Sequence, residues 1–283
     1  DEILKRVSDQ YRRIRNTFRF ILGNLNDFNE NEKVKFDEQV ELDKWIILET
    51  QKLEEDVIKY FEMYSYHNAV QRIHNFCVHE LGGIYLDIVK DRLYTFKNSS
   101  LARKSCQTSL NYVLNILVRL VAPILSFTAE EIWQTHKSLK NQKESVFLST
   151  YIQENINQLQ NIGSNDWKRI FEIKDLVNQS IESLRNENKL KGSLDANVII
   201  SANEEDKAIL EKLGDELHFV FISSNASVIA GQALEISIEN INEEKCTRCW
   251  HRDSSVGKSK SHPEVCLRCE ENIDSIGEVR YFV

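Results

Sequence analysis

Four of the six cysteines lie in two Cys-x-x-Cys pairs, and this spacing constrains the fold more than any other feature of the sequence. The pairs are Cys246-Thr-Arg-Cys249 and Cys266-Leu-Arg-Cys269, with sixteen residues between them. Two such pairs supply four thiolates to one tetrahedral Zn2+ ion. Because four cysteines leave no ligand position for water, we expect one structural zinc ion and no catalytic metal.

Two other interpretations of the cysteine pairs are less favoured. A disulfide framework is typical of short secreted chains, whereas this chain has six cysteines in 283 residues. A redox-active pair would need a thioredoxin-like βαβ pattern around it, which the sequence lacks. We therefore expect reduced thiols and a cytoplasmic protein.

The termini and the hydropathy pattern give no sign of a membrane or a secretory signal. No stretch approaches the 18 or so apolar residues that a membrane-spanning helix needs. The chain begins at Asp1 without a basic and apolar leader, so we expect a piece of a longer chain without a signal peptide.

The scarcity of proline and glycine predicts a mainly α fold. The sequence holds 2 Pro and 9 Gly, which disfavours folds with many tight turns. Apolar residues recur at helical spacing over residues 1–25, 36–63, 66–94 and 100–121, and again from about residue 128. We therefore predict an antiparallel helical bundle over residues 1–140, with the Gly82-Gly83 pair marking a kink or a close helix contact.

The start of the last bundle helix carries an apparent capping motif. Thr128 and Glu131 have the spacing of a capping box, and Phe127 with Ile132 has the spacing of a hydrophobic staple. The sequence thus predicts that this helix begins near Thr128.

The remainder of the chain predicts a linker, a small mixed domain and a zinc finger. Residues 141–164 are polar and form the predicted linker, and residues 165–244 form a helix followed by a small α+β unit. Within that unit we predict short strands at 197–201, 217–222 and 234–238 and a helix at 204–213. The zinc finger then occupies residues 245–283.

The charge distribution predicts two anion-binding surfaces on an otherwise acidic protein. The formal net charge is -8, which argues against a generic nucleic-acid binder. Residues 5–19 nevertheless carry six basic side chains against one acidic, and residues 245–260 carry five against one. Local potential decides which surface attracts an anion, so both stretches are candidate sites.

On a helical wheel of the first helix, the polar residues gather beside an apolar stripe that runs from Val7 to Leu25. The residues on this flank include Lys5, Arg12, Asn16 and Arg19, which form either an anion-binding surface or an ordinary solvated helix face. Arg15 lies at the border of the stripe and is a candidate for RNA contact or for tying two helices together.

Candidate RNA contacts also surround the first cysteine pair. Arg248, Trp250, His251 and Arg252 would suit base stacking and phosphate contact on a rigid knuckle. Trp250 has an equally good alternative role, packing over the metal site or against the preceding domain. No phosphate loop, dinucleotide-binding, nucleophile-elbow or HExxH motif occurs, so the sequence predicts no catalytic apparatus in this chain.

Several segments resemble the C-terminal region of bacterial-type isoleucyl-tRNA synthetases, a class I family. The most specific are SDQYRRIRNTFRFILGNLNDF at 8–28, similar to the opening helix of the family's anticodon-binding bundle, and KCTRCWHRDSSVGKSKSHPEVCLRCEENI at 245–273, similar to its C-terminal zinc finger. Three further segments that are similar to the family, in the same order, are FCVHELGGIYLDIVKDRLYT at 76–95, APILSFTAEEIW at 122–133 and KLKGSLDANVII at 189–200.

The resemblance implies a function for the parent enzyme and a narrower one for this chain. A member of the family activates isoleucine with ATP and transfers it to isoleucine tRNA, and its C-terminal region recognises the anticodon stem-loop. The HIGH-like and KMSKS-like signatures of the family do not occur here, so this chain is expected to bind tRNA without catalysing either step. The implied partners are tRNA and the upstream catalytic and editing domains of the same chain, in a monomeric enzyme.

Two other classes of protein compete with this interpretation. The finger alone also resembles that of formamidopyrimidine-type DNA glycosylases, but those need an N-terminal Pro-Glu, and this chain begins Asp1-Glu2. A helical scaffold whose zinc unit binds protein, with no RNA role, is the main alternative.

Overall fold

The computed structural model describes residues 2–154, 156 and 160–283, apart from the side chain of Lys140. The chain divides into two compact units, each built from two stretches of sequence. Unit 1 comprises Asp1–Asp87 and Lys104–Leu159, and unit 2 comprises Ile88–Arg103 and Gln160–Val283. The domain boundaries predicted at residues 140, 164 and 244 stay predictions.

Unit 1 is helical. Its α-helices are α1 (Glu2–Asn24), α2 (Glu41–Glu62), α3 (Tyr66–Phe76), α6 (Leu101–Val121), α7 (Ser126–Thr135) and α8 (Lys137–Lys140), with α6 beginning in the stretch assigned to unit 2. Large apolar side chains from these helices form its core, including Phe18, Ile46, Phe76, Leu114 and Trp133. Burial of this apolar area is the main stabilising term for such a bundle.

The predicted interruption at the glycine pair is a π-helical segment. Residues Cys77–Tyr85 form i to i+5 turns between α3 and the three-residue helix α4 (Leu86–Ile88). A β-carbon on Gly82 would lie 3.0 Å from the carbonyl oxygen of Cys77, so a larger residue would force the wide turn to shift. Wide turns of this kind re-aim the side chains that follow them.

Two expectations for unit 1 are wrong at the level of single residues. Helix α7 begins at Ser126, Phe127 is 94% exposed and forms no staple, and the Thr128 hydroxyl lies 3.2 Å from the Tyr11 hydroxyl. The capping motif fails because Thr128 has a tertiary partner instead of an N-capping role. Val7 is 56% exposed, since the buried residues of α1 begin only at Ile14.

Unit 2 is an α+β structure around a three-stranded sheet. The sheet comprises β1 (Ala196–Ala202), β2 (Asn225–Ala230) and β3 (Glu235–Asn240) in the order β2-β1-β3. Strand β1 pairs parallel with β2 and antiparallel with β3. The helices of the unit are α5 (Lys90–Thr95), α9 (Ser164–Asn186), α10 (Glu204–Glu211), α11 (Leu217–Phe221) and α12 (Leu267–Asp274).

The core of unit 2 lies on one face of the sheet. Every second residue of β1 is fully buried, beginning with Ala196 and Val198, as expected for a strand covered on one side. Helices α10 and α11 form the crossover that a parallel β1–β2 pair requires.

The strand predicted at 217–222 is wrong. This run forms the helix α11 and ends at Ile222, whose φ of 54° is left-handed. A short apolar run is compatible with either structure, because its side chains are buried in both. The mainly α architecture with a small α+β part is confirmed.

Among the residues that the structure describes, none of the helices combines the length and hydrophobicity needed to cross a bilayer.

Candidate metal centre and the predicted RNA contacts

The four predicted zinc ligands converge in unit 2. The Sγ atoms of Cys246, Cys249, Cys266 and Cys269 all lie within 4.8 Å of one another, and all four residues are buried. The Sγ atoms of Cys249 and Cys266 are 3.7 Å apart. A tetrahedral ion with Zn–S bonds of ~2.3 Å separates its sulfurs by about 3.8 Å, so the donor set and its spacing fit zinc.

Backbone hydrogen bonds shape the first cysteine pair into a knuckle. The Cys246 N–H donates to the His251 carbonyl at 2.9 Å, and the Trp250 N–H donates back to the Cys246 carbonyl at 3.0 Å. This tight loop is closed by a left-handed residue, Trp250, with a φ of 68°. The two thiols of the pair therefore point to the same side.

The second cysteine pair lies at the start of a helix. Cys266 is the residue before α12, and its N–H donates to the Cys246 sulfur at 3.4 Å. Hydrogen bonds from Cys249 and Cys269 lower the pKa of Cys266, and the same cluster raises the pKa of Cys269. A metal ion binds thiolates, so these thiols would give up their protons when the ion binds.

Trp250 and His251, adjacent in sequence, lie in opposite environments. Trp250 is 60% exposed, and the Lys245 ammonium lies 5.3 Å from the centroid of its ring. His251 is buried, with its Nδ1 3.2 Å from the Cys249 carbonyl and its ring edge-on to Phe219. Trp250 is thus free to stack on a ligand, whereas His251 forms part of the packing around the metal centre.

The two predicted RNA contacts Arg248 and Arg252 bind partners within unit 2. The Arg248 guanidinium donates to the Thr95 carbonyl at 3.0 Å. Arg252 forms an ion pair with Asp195 and also donates to the Glu243 carbonyl at 2.8 Å. Both side chains therefore have structural roles in the unit.

Sequence reasoning missed a charged network beside the metal centre. Arg268 and Arg280 both pair with Asp91 and with Glu278, and the Arg280 guanidinium lies 3.2 Å from the centroid of the Phe219 ring. The available signal was the shared arginine at the third position of both cysteine pairs.

The predicted contacts on α1 lie in unit 1, and most are exposed. Lys5, Arg12, Asn16 and Arg19 are exposed, and Arg12 forms an ion pair with Asp9 at 2.6 Å. Arg15 instead donates two hydrogen bonds to Glu131, at 2.7 and 2.9 Å. These bonds, together with the Glu131 charge, raise the pKa of Arg15, so this residue ties α1 to α7, as one of its two predicted roles required.

Two family models match this chain, one over most of its helical part and one over the cysteine cluster. Residues 43–200 match the family described as the anticodon-binding domain of tRNA ligase, which is more than half of the chain. The chain belongs to this anticodon-binding family. Residues 243–272 match the family described as the zinc finger found in FPG and IleRS.

Curated relatives match the chain over its whole length. It is 46% identical over 298 aligned positions to an isoleucine-tRNA ligase of Coxiella burnetii (strain RSA 331 / Henzerling II) and 43% identical over 302 positions to that of Haemophilus influenzae (strain PittEE). Each alignment covers 100% of this chain, and 31% and 32% of the relatives. The chain therefore spans about a third of the length of the relatives it matches.

The predicted resemblance to the C-terminal region of isoleucyl-tRNA synthetases is confirmed. The relatives of this chain are aminoacyl-tRNA synthetases, and the anticodon-binding match supports a role in binding tRNA.

Proposed function

We propose that this chain is the tRNA-binding C-terminal part of an isoleucine-tRNA ligase and that it recognises the anticodon stem-loop of isoleucine tRNA. The observation that carries the proposal is similarity to isoleucine-tRNA ligases over the whole of this chain, together with an anticodon-binding family match over residues 43–200. The parent enzyme would activate isoleucine with ATP and transfer it to tRNA, in the cytoplasm and as a monomer. Its catalytic and editing domains would lie in the remaining two thirds of the polypeptide.

The exposed residues of α1 provide the proposed contacts to the phosphates, riboses and bases of the RNA. Lys5, Arg12 and Arg19 offer positive charge to phosphates, and the Asn16 amide offers a donor and an acceptor to a base edge or a ribose. Because the rest of the surface is acidic overall, RNA would bind only where its phosphates meet these residues.

Trp250 provides the proposed stacking contact in unit 2. Its indole is exposed and held on a hydrogen-bonded knuckle, which suits stacking against an unpaired base. We assign supporting roles to Arg15, Arg248 and Arg252, since each holds a partner far away in the sequence, and to the buried His251. Arg12 differs because its one partner, Asp9, lies a single turn away on the exposed face of α1.

The zinc ion proposed for this site would be structural. Cys246, Cys249, Cys266 and Cys269 would hold it with no position left for water. Four thiolates and one Zn2+ carry a formal charge of about -2, which the neighbouring Arg268 partly offsets. When bound, the ion supplies cross-linking of the two cysteine pairs and no chemistry on a substrate.

The direct test measures binding to an isoleucine tRNA transcript and to the same transcript with only the anticodon exchanged, each at two salt concentrations. We expect tighter binding to the isoleucine anticodon and weaker binding at higher salt. Arg12→Ala and Arg19→Ala should each lower the salt slope by about 0.7–0.9 for every phosphate that the arginine no longer neutralises. Arg13→Ala is the matched control, because Arg13 is an exposed arginine on the same helix but outside the predicted flank.

Equal affinity for both transcripts would refute anticodon recognition by this chain. An absence of salt-sensitive binding would instead favour the alternative, a zinc-containing helical scaffold that binds protein.

A further inference from the structure

A short stretch far away in the sequence packs with the metal centre. Residues Ile88–Arg103, which include α5, belong to unit 2 together with the cysteine cluster. Asp91 of this stretch and its partner Arg268 are 177 positions apart. The stretch is therefore joined to the metal centre by side chains that lie far apart in the sequence.

An arginine between the cysteines of each pair provides the connection. Arg268, between Cys266 and Cys269, donates two hydrogen bonds to the Asp91 carboxylate, at 2.6 and 2.9 Å. Arg248, between Cys246 and Cys249, donates to the Thr95 carbonyl at 3.0 Å. Asp91 and Thr95 both lie in α5, so the arginine of each cysteine pair forms hydrogen bonds with the same helix.

Further contacts reinforce the same connection. The buried Arg280 pairs with Asp91 at 3.2 Å and lies over the ring of Phe96. The Lys97 ammonium donates to the Ser275 carbonyl, just after α12, at 2.8 Å. Burial alone would raise the pKa of Asp91, but its ion pairs with Arg268 and Arg280 hold that pKa well below its usual range. Asp91 is therefore ionised at neutral pH and paired on two sides.

We propose that Arg248 and Arg268 transmit metal binding to α5, so that the metal centre controls the order of residues 88–97. Each arginine lies between two ligands of the same ion, so metal binding fixes the backbone from which both guanidinium groups reach α5. Without the ion the two cysteine pairs are no longer cross-linked, so Arg248 and Arg268 are no longer held in a fixed position relative to each other and to α5. This inference does not depend on the RNA-binding proposal.

Hydrogen exchange of the 283-residue chain, with zinc bound and after chelation, tests the coupling. The probes are the amides of Leu93 and Phe96, which donate to the carbonyls of Val89 and Arg92. We expect chelation to speed their exchange by about tenfold or more, and the amides of α2 in unit 1 to stay protected.

Variants distinguish the loss of the arginine contacts to α5 from the loss of the metal ion. The double variant Arg248→Gln, Arg268→Gln should speed exchange at Leu93 and Phe96 with zinc still bound, as judged by zinc content. Arg252→Gln is the matched control, because Arg252 lies just after the first cysteine pair but forms its ion pair with Asp195 and not with α5. Asp91→Asn breaks the arginine contacts from the α5 side, far in sequence from every metal ligand.

Faster exchange in the double variant and in Asp91→Asn, but not in Arg252→Gln, would support the proposal. Weaker zinc binding by Asp91→Asn would also support it, since coupling between two sites is reciprocal. Unchanged exchange in a zinc-loaded Asp91→Asn protein would overturn it, as would chelation that speeds exchange equally in α2 and α5.

Discussion

Trp250 combines a backbone conformation that favours glycine with a large, exposed side chain. The φ of 68° is one that glycine adopts without strain and that costs other residues roughly 1–2 kcal/mol. The indole is nevertheless exposed, so packing within the protein does not account for the choice of tryptophan at this position.

Two substitutions of Trp250 separate stability from RNA binding. Trp250→Ala keeps the backbone strain, whereas Trp250→Gly removes it, so the glycine variant should be more stable by about 1 kcal/mol in thermal unfolding. Both variants lack the ring and should bind isoleucine tRNA more weakly by a similar amount, about 1–3 kcal/mol if one base stacks on it. Trp250→Phe, which keeps a ring, should retain most of the affinity; full affinity in Trp250→Ala would contradict the stacking role.

A half-buried histidine, His218, packs against Phe219 and His251 and should make unit 2 sensitive to mild acid. Burial, the neighbouring His251 and the Arg280 guanidinium lower the pKa of His218 to about 3. The unfolded chain takes up this proton near pH 6.5 and the folded chain does not, so stability is full above pH 6.5 and falls as the pH drops toward 3.

Between pH 7 and 5.5 this histidine alone should reduce the free energy of unfolding by about 1 kcal/mol. His218→Gln should remove that part of the pH dependence, measured by denaturation in excess zinc, while His67→Gln at an exposed position should not. Identical pH dependence in the His218 variant and the unmodified protein would refute this assignment.

Sequence reasoning succeeded at the residue scale where spacing along the chain fixes the geometry. The cysteine pairs were predicted to converge because each pair forms a local loop, and their sulfurs do converge. Thr95, the partner of Arg248, and Asp195, the ion-pair partner of Arg252, are 153 and 57 positions away, and no local pattern reveals such partners. Their charge was interpreted as available to RNA for that reason.

At the scale of elements, the π-helical segment delivers a side chain to a buried polar cluster. Tyr85, the last residue of that segment, donates its hydroxyl to Asp43 of α2 at 2.7 Å. The Ser105 hydroxyl donates to the other oxygen of the same carboxylate. Asp43 and Tyr85 are fully buried, so each of these hydrogen bonds supports a charge that has no access to water.

Removing one donor from this cluster should destabilise the protein. Tyr85→Phe is expected to reduce the free energy of unfolding by about 1.5–3 kcal/mol, the usual contribution of a hydrogen bond to a charged group. Urea denaturation followed by far-UV circular dichroism measures the change. Tyr66→Phe, at an exposed position in the same unit, should leave the midpoint unchanged; equal midpoints for both variants would contradict the role of Tyr85.

The sequence predicted long elements better than short ones. Helices α1, α2 and α6 lie close to their predicted ranges because their apolar spacing extends over several turns. Residues 217–222 were misassigned and the short strand β2 was missed, because five or six residues do not show a period. Their structure follows from tertiary packing, which the local sequence does not encode.

At the scale of the whole molecule, loss of the metal should open one unit and spare the other. Cys249→Ser should release zinc and expose protease sites in unit 2, because the cysteine cluster and its ion pairs all lie there. Cys77→Ser is the control, since Cys77 is buried in unit 1 and takes no part in the cluster. Limited proteolysis with mass spectrometry locates the cuts; equal cutting in both units would show that they do not open separately.

The family was predictable from the sequence, whereas the division into units was not. Segments near both ends of the chain carry the family resemblance, and it is confirmed by the family matches and by relatives that align with the whole of this chain. The assignment of Ile88–Arg103 to unit 2 had no local signal, because helical periodicity continues through Asp87 without a break.

This discontinuous unit has a consequence for the order of events during synthesis. A ribosome adding about 5–20 residues per second makes Arg268 roughly 9–35 s after Asp91. For that interval the Asp91 carboxylate has neither of its arginine partners, because Arg280 is made later still. The ion pairs of α5 therefore form only after Arg268 and Arg280 have been made, and a ribosome that stalls between Asp91 and Arg268 leaves α5 without these partners.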